Sequence, residues 1–227
     1  MSEPNARAGT GPAGTGSAST GPVARSPIAP PPPVLVIDGW EVSGRRAGTG
    51  LTLTDCTPLA KVQVRAPVGG RAAAELAVPF GRAAMDNDGT LVAGSGPGEW
   101  LLLAAPGQAP ALTGRAEGLA SRFPGELVTA TDVTHGRALM RLSGSRGTDV
   151  LRKVCGIDAA DGITPDGAAF RSAVAAVATD VIRHDTGGVR SYLLHCERSS
   201  GAYLFGALLT AGSEFGIEID GFTPPGI

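Results

Sequence analysis

The chain has 227 residues, 42% of them hydrophobic, and a mean hydropathy of +0.11, which describes a foldable protein and not one disordered throughout. At roughly 100–200 residues per domain, such a length allows one domain or two small ones. Nineteen Lys+Arg against 21 Asp+Glu give a net charge of −2 and a pI near 5.9, and the longest basic run is the pair Arg45–Arg46; nucleic acid is excluded as the main partner.

The N-terminal stretch stands apart in composition. Residues 1–33 carry eight of the 18 prolines, no aromatic residue, and only Met1, Val23 and Ile28 as apolar side chains larger than alanine. Too little apolar surface is present to offset the entropy of ordering the backbone, so residues 1–50 are expected to form a disordered Gly/Pro-rich arm. Gly9 to Gly14 spells the dinucleotide-binding G-x-G-x-x-G pattern. That motif works only between a strand and a helix N-terminus, and the arm offers neither, so the match is chance. The first residues lack the apolar stretch of a secretion signal, and no run approaches the roughly 20 apolar residues that cross a bilayer. A cytoplasmic protein without a membrane partner is expected.

From Leu51 the pattern changes. Residues 61–66 alternate as a half-buried strand does, and residues 69–78 read as a short alanine-rich helix. Residues 90–93 and 99–105 are two strands joined across the turn cluster Gly94 to Gly98. Residues 111–123 place Leu112, Ala116, Leu119 and Phe123 at helical spacing before Pro124-Gly125, and residues 127–133 return as a strand. The order then begins again: a strand at 138–142, a helix at 147–155, one long or bent strand at 170–184, a hairpin turn at Thr186 to Gly188, a strand at 190–196 and a helix at 199–215. The fold class is α+β, two β-α-β-β-α lobes at 51–134 and 135–220, followed by a tail at 221–227.

Few residues point to chemistry. Cys56, Cys155 and Cys196 are scattered and form no C-x-x-C pair, which argues for reduced, buried thiols. His135, His184 and His195 have no short-spaced partner for a zinc site. Neither Lys61 nor Lys153 lies in a Walker loop, and no G-x-S-x-G elbow occurs. Catalytic and metal residues are expected to be absent from this chain.

Several segments, in order, resemble the gamma subunit of heterotetrameric sarcosine oxidase: Gly96-Pro-Gly-Glu-Trp-Leu-Leu-Leu103, Thr131-Asp-Val-Thr-His-Gly-Arg137, Arg141-Leu-Ser-Gly144, Cys155-Gly-Ile-Asp158, and Arg198-Ser-Ser-Gly-Ala-Tyr-Leu204 running to Glu214-Phe-Gly216. The resemblance spans about Leu51 to Gly216 and implies a fold related to the folate-binding aminomethyltransferases. It also implies an accessory role in a complex that oxidatively demethylates sarcosine to glycine, with tetrahydrofolate accepting the one-carbon unit. The implied partners are the larger flavoprotein subunits, alpha and beta, and a small delta subunit. The complex uses FAD, FMN, NAD and tetrahydrofolate, with no cofactor on this chain. The alternative is a free-standing folate- or small-ligand-binding protein of the same fold.

Four residues are candidates for an interface. Trp100 is a core anchor on an alternating strand or a binding aromatic. His135 and Arg137 lie at the junction between lobes, where they serve a junction hydrogen bond or meet a partner subunit or a folate-like carboxylate. Arg198, ahead of the last helix, is an exposed arginine or a carboxylate clamp.

Overall fold

A computed structural model describes residues 22–48 and 50–227. The N-terminal part holds three short strands, β1 (Ala24–Arg25), β2 (Val34–Ile37) and β3 (Trp40–Ser43). β2 and β3 form a hairpin on the two-residue turn Asp38-Gly39, both at positive φ (49° and 76°), the mirror-image turn that matches strand twist. β1 runs parallel to β3 on its other side.

Next come β4 (Thr52–Asp55), β5 (Ala60–Arg65), α1 (Arg71–Leu76), β6 (Ala83–Met85), β7 (Leu91–Gly96), β8 (Glu99–Ala104), α2 (Ala109–Arg122) and β9 (Thr129–Asp132). The second half holds β10 (Arg137–Ser143), α3 (Gly147–Val154), β11 (Ala169–Val174), β12 (Val177–Arg183), β13 (Ser191–Glu197), α4 (Gly201–Gly212) and β14 (Glu218–Asp220). Two sheets result, with strand orders β6-β7-β8-β5-β9 and β11-β12-β13-β10-β4-β14. Among the described residues no helix is long and apolar enough to cross a membrane.

The sheets lie face to face, each with helices on its outer side. Val62, Val64, Trp100 and Leu102 of the five-stranded sheet pack against Leu76 of α1 and Leu112, Ala116 and Leu119 of α2. Leu53, Met140, Leu142, Val181 and Leu194 of the six-stranded sheet pack against Val150 and Leu151 of α3 and Leu204, Phe205 and Leu208 of α4. Between the sheets, Leu91, Leu101 and Leu103 meet Leu139, Ile182 and Leu193. A strand alternates its side chains between two faces, and here both faces of both sheets are covered.

Three features depart from the sequence reading. The arm expected to be disordered over residues 1–50 is folded where it is described; residues 1–21 and 49 lie outside the described residues. Ile28, Trp40 and Val42 are buried, Trp40 and Val42 in the layer between the sheets, and the Ser43 hydroxyl donates to the Pro31 carbonyl at 2.8 Å. Composition misleads because prolines 30–33 have little backbone freedom to lose, so a few buried side chains suffice to hold the segment. Second, β4 does not belong with the lobe of residues 51–134. It pairs antiparallel with β10 and parallel with β14 in the six-stranded sheet. Gly144 allows this: it sits at φ +127°, and a Cβ there would lie 2.0 Å from the Gly50 carbonyl oxygen. Third, residues 170–184 are a hairpin, β11 and β12, turning at Ala175 and Ala176 with φ of 47° and 65°. Alanine is not a residue of such turns, so the sequence carries no signal for it. The C-terminal tail packs as well: Phe222 is buried between the sheets, and the Arg141 guanidinium donates to the Gly226 carbonyl at 3.1 Å.

If the N-terminal segment is part of the core, Trp40→Ala lowers the unfolding free energy by about 3–5 kcal/mol in a denaturant titration. A loss near zero would return residues 22–48 to the status of an appendage.

Candidate functional site

Alternation along β5 sends Lys61, Gln63 and Arg65 to one face and Val62 and Val64 to the other. On a one-sided sheet the first face meets water. Here it meets the second sheet, and the polar residues assemble into a cluster in the layer between them.

The cluster takes Gln63 from β5, Ser95 from β7 and Glu99 from β8 on one sheet, and Arg137, Arg171, Asp180 and His195 from β10 to β13 on the other. The Arg171 guanidinium donates to Asp180 through Nε at 2.6 Å and through Nη2 at 3.2 Å, and also reaches Glu99 Oε1 at 3.2 Å. Glu99 is further paired with Arg65 at 3.1 Å. Arg171 therefore bridges the two sheets electrostatically. Burial pushes the Asp180 carboxyl up, but hydrogen bonds from His195 and Arg171 outweigh it and hold the group below the usual carboxylate value. His195 Nδ1 lies 3.2 Å from Asp180 Oδ2. Burial drives the His195 imidazole down, only partly offset by that carboxylate, so the ring is neutral at pH 7 with its proton on Nδ1. Its Nε2 is buried and has no protein partner. The enclosed space beside these groups measures about 10 Å³, room for one water. The cluster joins the two sheets.

Lys61 is the second buried polar group of this layer, at 0% exposure. Its Nζ donates to the carbonyls of Thr57 at 2.7 Å and Leu59 at 2.8 Å, which closes the turn between β4 and β5. A neutral amine has two N–H groups and these two carbonyls match them. Burial accordingly pulls the Lys61 pKa down to about 7, against the partial opposition of Asp55, Cys56 and Asp132. Burial also pushes the Cys56 and Cys196 thiols up to about 11, so both stay protonated at neutral pH. Among the described residues no group of three or more His, Cys, Asp or Glu side chains is placed to hold a metal ion.

The four sequence candidates fall in two places. Trp100 is buried, its Nε1 donating to the Val78 carbonyl at 2.7 Å, and it floors an open apolar cleft of about 490 Å³ between α1 and the β7–β8 turn. Phe80, 62% exposed, and Val68 rim that cleft. The other three lie at one end of β10 and β13. Arg137 pairs with Glu197 at 2.6 Å. His135 stacks on Trp40 with ring centroids 4.8 Å apart, and its carbonyl accepts from Arg198 at 3.3 Å. Arg198 also donates to the Arg25 carbonyl at 2.7 Å. Its guanidinium thereby ties β1 to the lobe junction. Sequence reasoning missed Glu99, Arg171, Asp180 and His195 as a connected set, and Trp40 and Lys61 as buried groups. The one legible signal was the Lys61-Gln63-Arg65 alternation, which looks identical whether its polar face meets water or another sheet.

No protein-family model and no curated protein matches the chain. Among solved structures it is similar to a chain of the heterotetrameric sarcosine oxidase from Corynebacterium sp. U-96, determined in complex with pyrrole 2-carboxylate. The identity is 27% and the TM-score 0.63, over 75% of this chain and 88% of that one. The glycine cleavage system aminomethyltransferase T from Bartonella henselae matches with a TM-score of 0.59 at 14% identity, over 83% of this chain and 55% of that one. The fold is thus of the aminomethyltransferase and sarcosine oxidase type, and this chain spans about half the aminomethyltransferase.

Lys61 makes stability depend on pH. Its folded pKa of about 7 lies below the ordinary 10.5, so between those values the unfolded chain binds the extra proton. Stability therefore rises with pH across that window, by up to about 1.4 kcal/mol per pH unit. Cys56 and Cys196, raised from 9.0 to about 11, oppose this above pH 9 because the unfolded thiols ionise first. Urea titrations at pH 7, 8 and 9 should show unfolding free energy climbing in the wild type and flat in Lys61→Met.

Proposed function

We propose that this chain is the gamma-type accessory subunit of a heterotetrameric oxidase that demethylates sarcosine to glycine, with tetrahydrofolate accepting the one-carbon unit. Larger alpha and beta chains carry the FAD, FMN, NAD and folate sites, a small delta chain completes the assembly, and the complex works in the cytoplasm. The observation that carries the reading is the match to a chain of a heterotetrameric sarcosine oxidase, which takes in most of both chains, so the two are of similar length. The ordered segments from Gly96 to Gly216 support it independently.

The internal layout supports a structural role. The charged groups between the sheets are spent on one another, and the accessible concavities lie at the surface. The strand order β6-β7-β8-β5 recurs as β11-β12-β13-β10, which supports two interlocked lobes built on one plan, β-α-β-β-β-α, with one strand more per lobe than the β-α-β-β-α expected from the sequence. The second reading, a free-standing folate-binding protein, draws on the aminomethyltransferase likeness, which at 14% identity speaks to fold. A folate would have to bind away from the Arg171 cluster, where the enclosed space has room for one water.

Two measurements separate the readings. Expressed with the larger chains of its oxidase and pulled down by a tag, the chain should recover them in equal ratio, with flavin absorbance only in the complex. Titrated alone with tetrahydrofolate, it should give a flat calorimetric response. Free migration in the first experiment together with saturable binding in the second would overturn the proposal in favour of the folate reading.

A further inference from the structure

β2 is an edge strand whose four residues carry none of the side chains that keep edges unpaired. It ends its sheet in the order β1-β3-β2, so among the described residues its outer side has no strand beside it. Its sequence is Val34-Leu35-Val36-Ile37, and Val34, Leu35 and Val36 are 49%, 44% and 55% exposed. Successive residues of a strand point to opposite faces, so the strand is apolar and open on both. Natural edges are usually protected by a charge, a proline, a bulge or a covering loop. This one has no such residue within its four positions.

The outward hydrogen-bonding groups can be assigned. Gly44 N–H donates to the Pro33 carbonyl at 2.7 Å, and the register pairs Leu35 with Val42 and Ile37 with Trp40. Antiparallel pairs alternate between bonded and non-bonded positions, so Leu35 and Ile37 bond inward to β3. Val34 and Val36 turn their N–H and C=O groups outward. The strand is also held in place, because Trp40 across the turn is buried and stacked on His135.

Arg45, whose Nε donates to the Pro32 carbonyl at 3.1 Å just ahead of β2, also borders a concavity of about 420 Å³ with Arg46, Leu209, Ile217, Glu218 and Ile219. Arg45 and Arg46 are exposed and bonded only to carbonyls, the first to Pro32 and the second to Arg45 itself; neither is ion-paired among the described residues. Glu218 is already engaged by the Gly48 N–H at 2.7 Å. At the opposite end of the strand stands Asp38 of the turn.

We propose that the β2 edge and the Arg45–Arg46 concavity form one docking strip for an extended segment of a partner subunit, added as a strand beside β2. The segment is uncharged and rich in β-branched residues along the strand, with acidic residues where it reaches Arg45 and Arg46. This assignment rests on the accessory-subunit reading above. A second copy of the chain is the weaker occupant: pairing two four-residue strands buries well under the roughly 1,000 Å² of a stable interface. It would also leave the arginines without carboxylates. Residues 1–21 fit poorly, since the chain joins this sheet through β1 on the far side of β3 and those residues contain no apolar β-forming run.

The test uses the full chain in two arms. In the complex, Val36→Pro removes an outward N–H while sparing the bonds to β3, and Arg45→Glu with Arg46→Glu reverses the charge, giving up one hydrogen bond to Pro32 ahead of β2 but none of the β2–β3 ladder. Each should lower recovery of the larger chains at least tenfold with far-ultraviolet circular dichroism unchanged. Undiminished recovery by both variants would overturn the strip while leaving the subunit role standing. On the isolated chain, amide exchange is followed during titration with the peptide Lys-Val-Thr-Val-Ile-Asp-Glu. Protection of the Val34 and Val36 amides, at least tenfold at saturation and lost in the Arg45→Glu/Arg46→Glu variant, is expected. No protection at saturation refutes the strip even if the larger chains are recovered. Protection that instead grows with protein concentration, without peptide, would assign the edge to a second copy. If the larger chains are not recovered by the wild type but the peptide protects both amides, the strip stands and the accessory-subunit reading falls.

Discussion

The pairing of the two sheets through Arg171 is the constraint around which this protein is arranged. Two stacked sheets must bury the inner faces of both, and each face carries charge. The solution is neutralisation across the gap: Arg171 from one sheet reaches Asp180 beside it and Glu99 opposite, and Asp180 in turn holds His195. Asp180 is the more enclosed of the two carboxylates, and its removal would take from Arg171 its two-bond partner and from the buried His195 ring its acceptor, leaving Arg171 only Glu99 across the gap. The leucines beside them supply the apolar contact between the sheets.

That arrangement also determines where function can reside. Side chains that in isolation look like acid–base equipment, an Asp–His pair next to an arginine and a lysine with a pKa near neutral, are consumed in holding the layer closed. The space left beside the Asp–His pair is about 10 Å³, room for one water. Chemistry with another molecule is displaced to the rim: the apolar cleft over Trp100, the junction around His135 and Arg198, and the edge of β2. A body of this kind, closed at its centre and apolar at its margins, is suited to association. The likeness to a chain of a heterotetrameric oxidase agrees with that.

The N-terminal segment ties these levels together. Residues 22–48 contribute Trp40 and Val42 to the inter-sheet layer, lend Arg25 to the hold of Arg198, and present β2 outward. A segment that completes the core on one side and leaves an unpaired apolar strand on the other is part of the fold and part of its surface chemistry at once.

Much of the element order was legible in the sequence. The 3.6-residue spacing of Leu112, Ala116 and Leu119 marked α2, the alternation of residues 61–66 marked β5, and Thr186 to Gly188 marked the turn before β13. These are local patterns, set by the geometry of a single helix or strand. What lay beyond them was non-local. Asp180 and His195 are fifteen residues apart and meet because β12 and β13 pair; Glu99 joins them only because a second sheet lies over the first. Lys61 illustrates the divide. Its position on the polar face of β5 followed from alternation alone, but whether that face met water or another sheet depended on chain packing hundreds of atoms away. Composition likewise separated the first fifty residues from the rest, and only the tertiary structure could show that Trp40 had a buried site to fill. The sequence by itself determined which residues form helices and strands and which faces they carry. The tertiary structure decided which of those faces are surfaces, because burial is a property of what lies opposite.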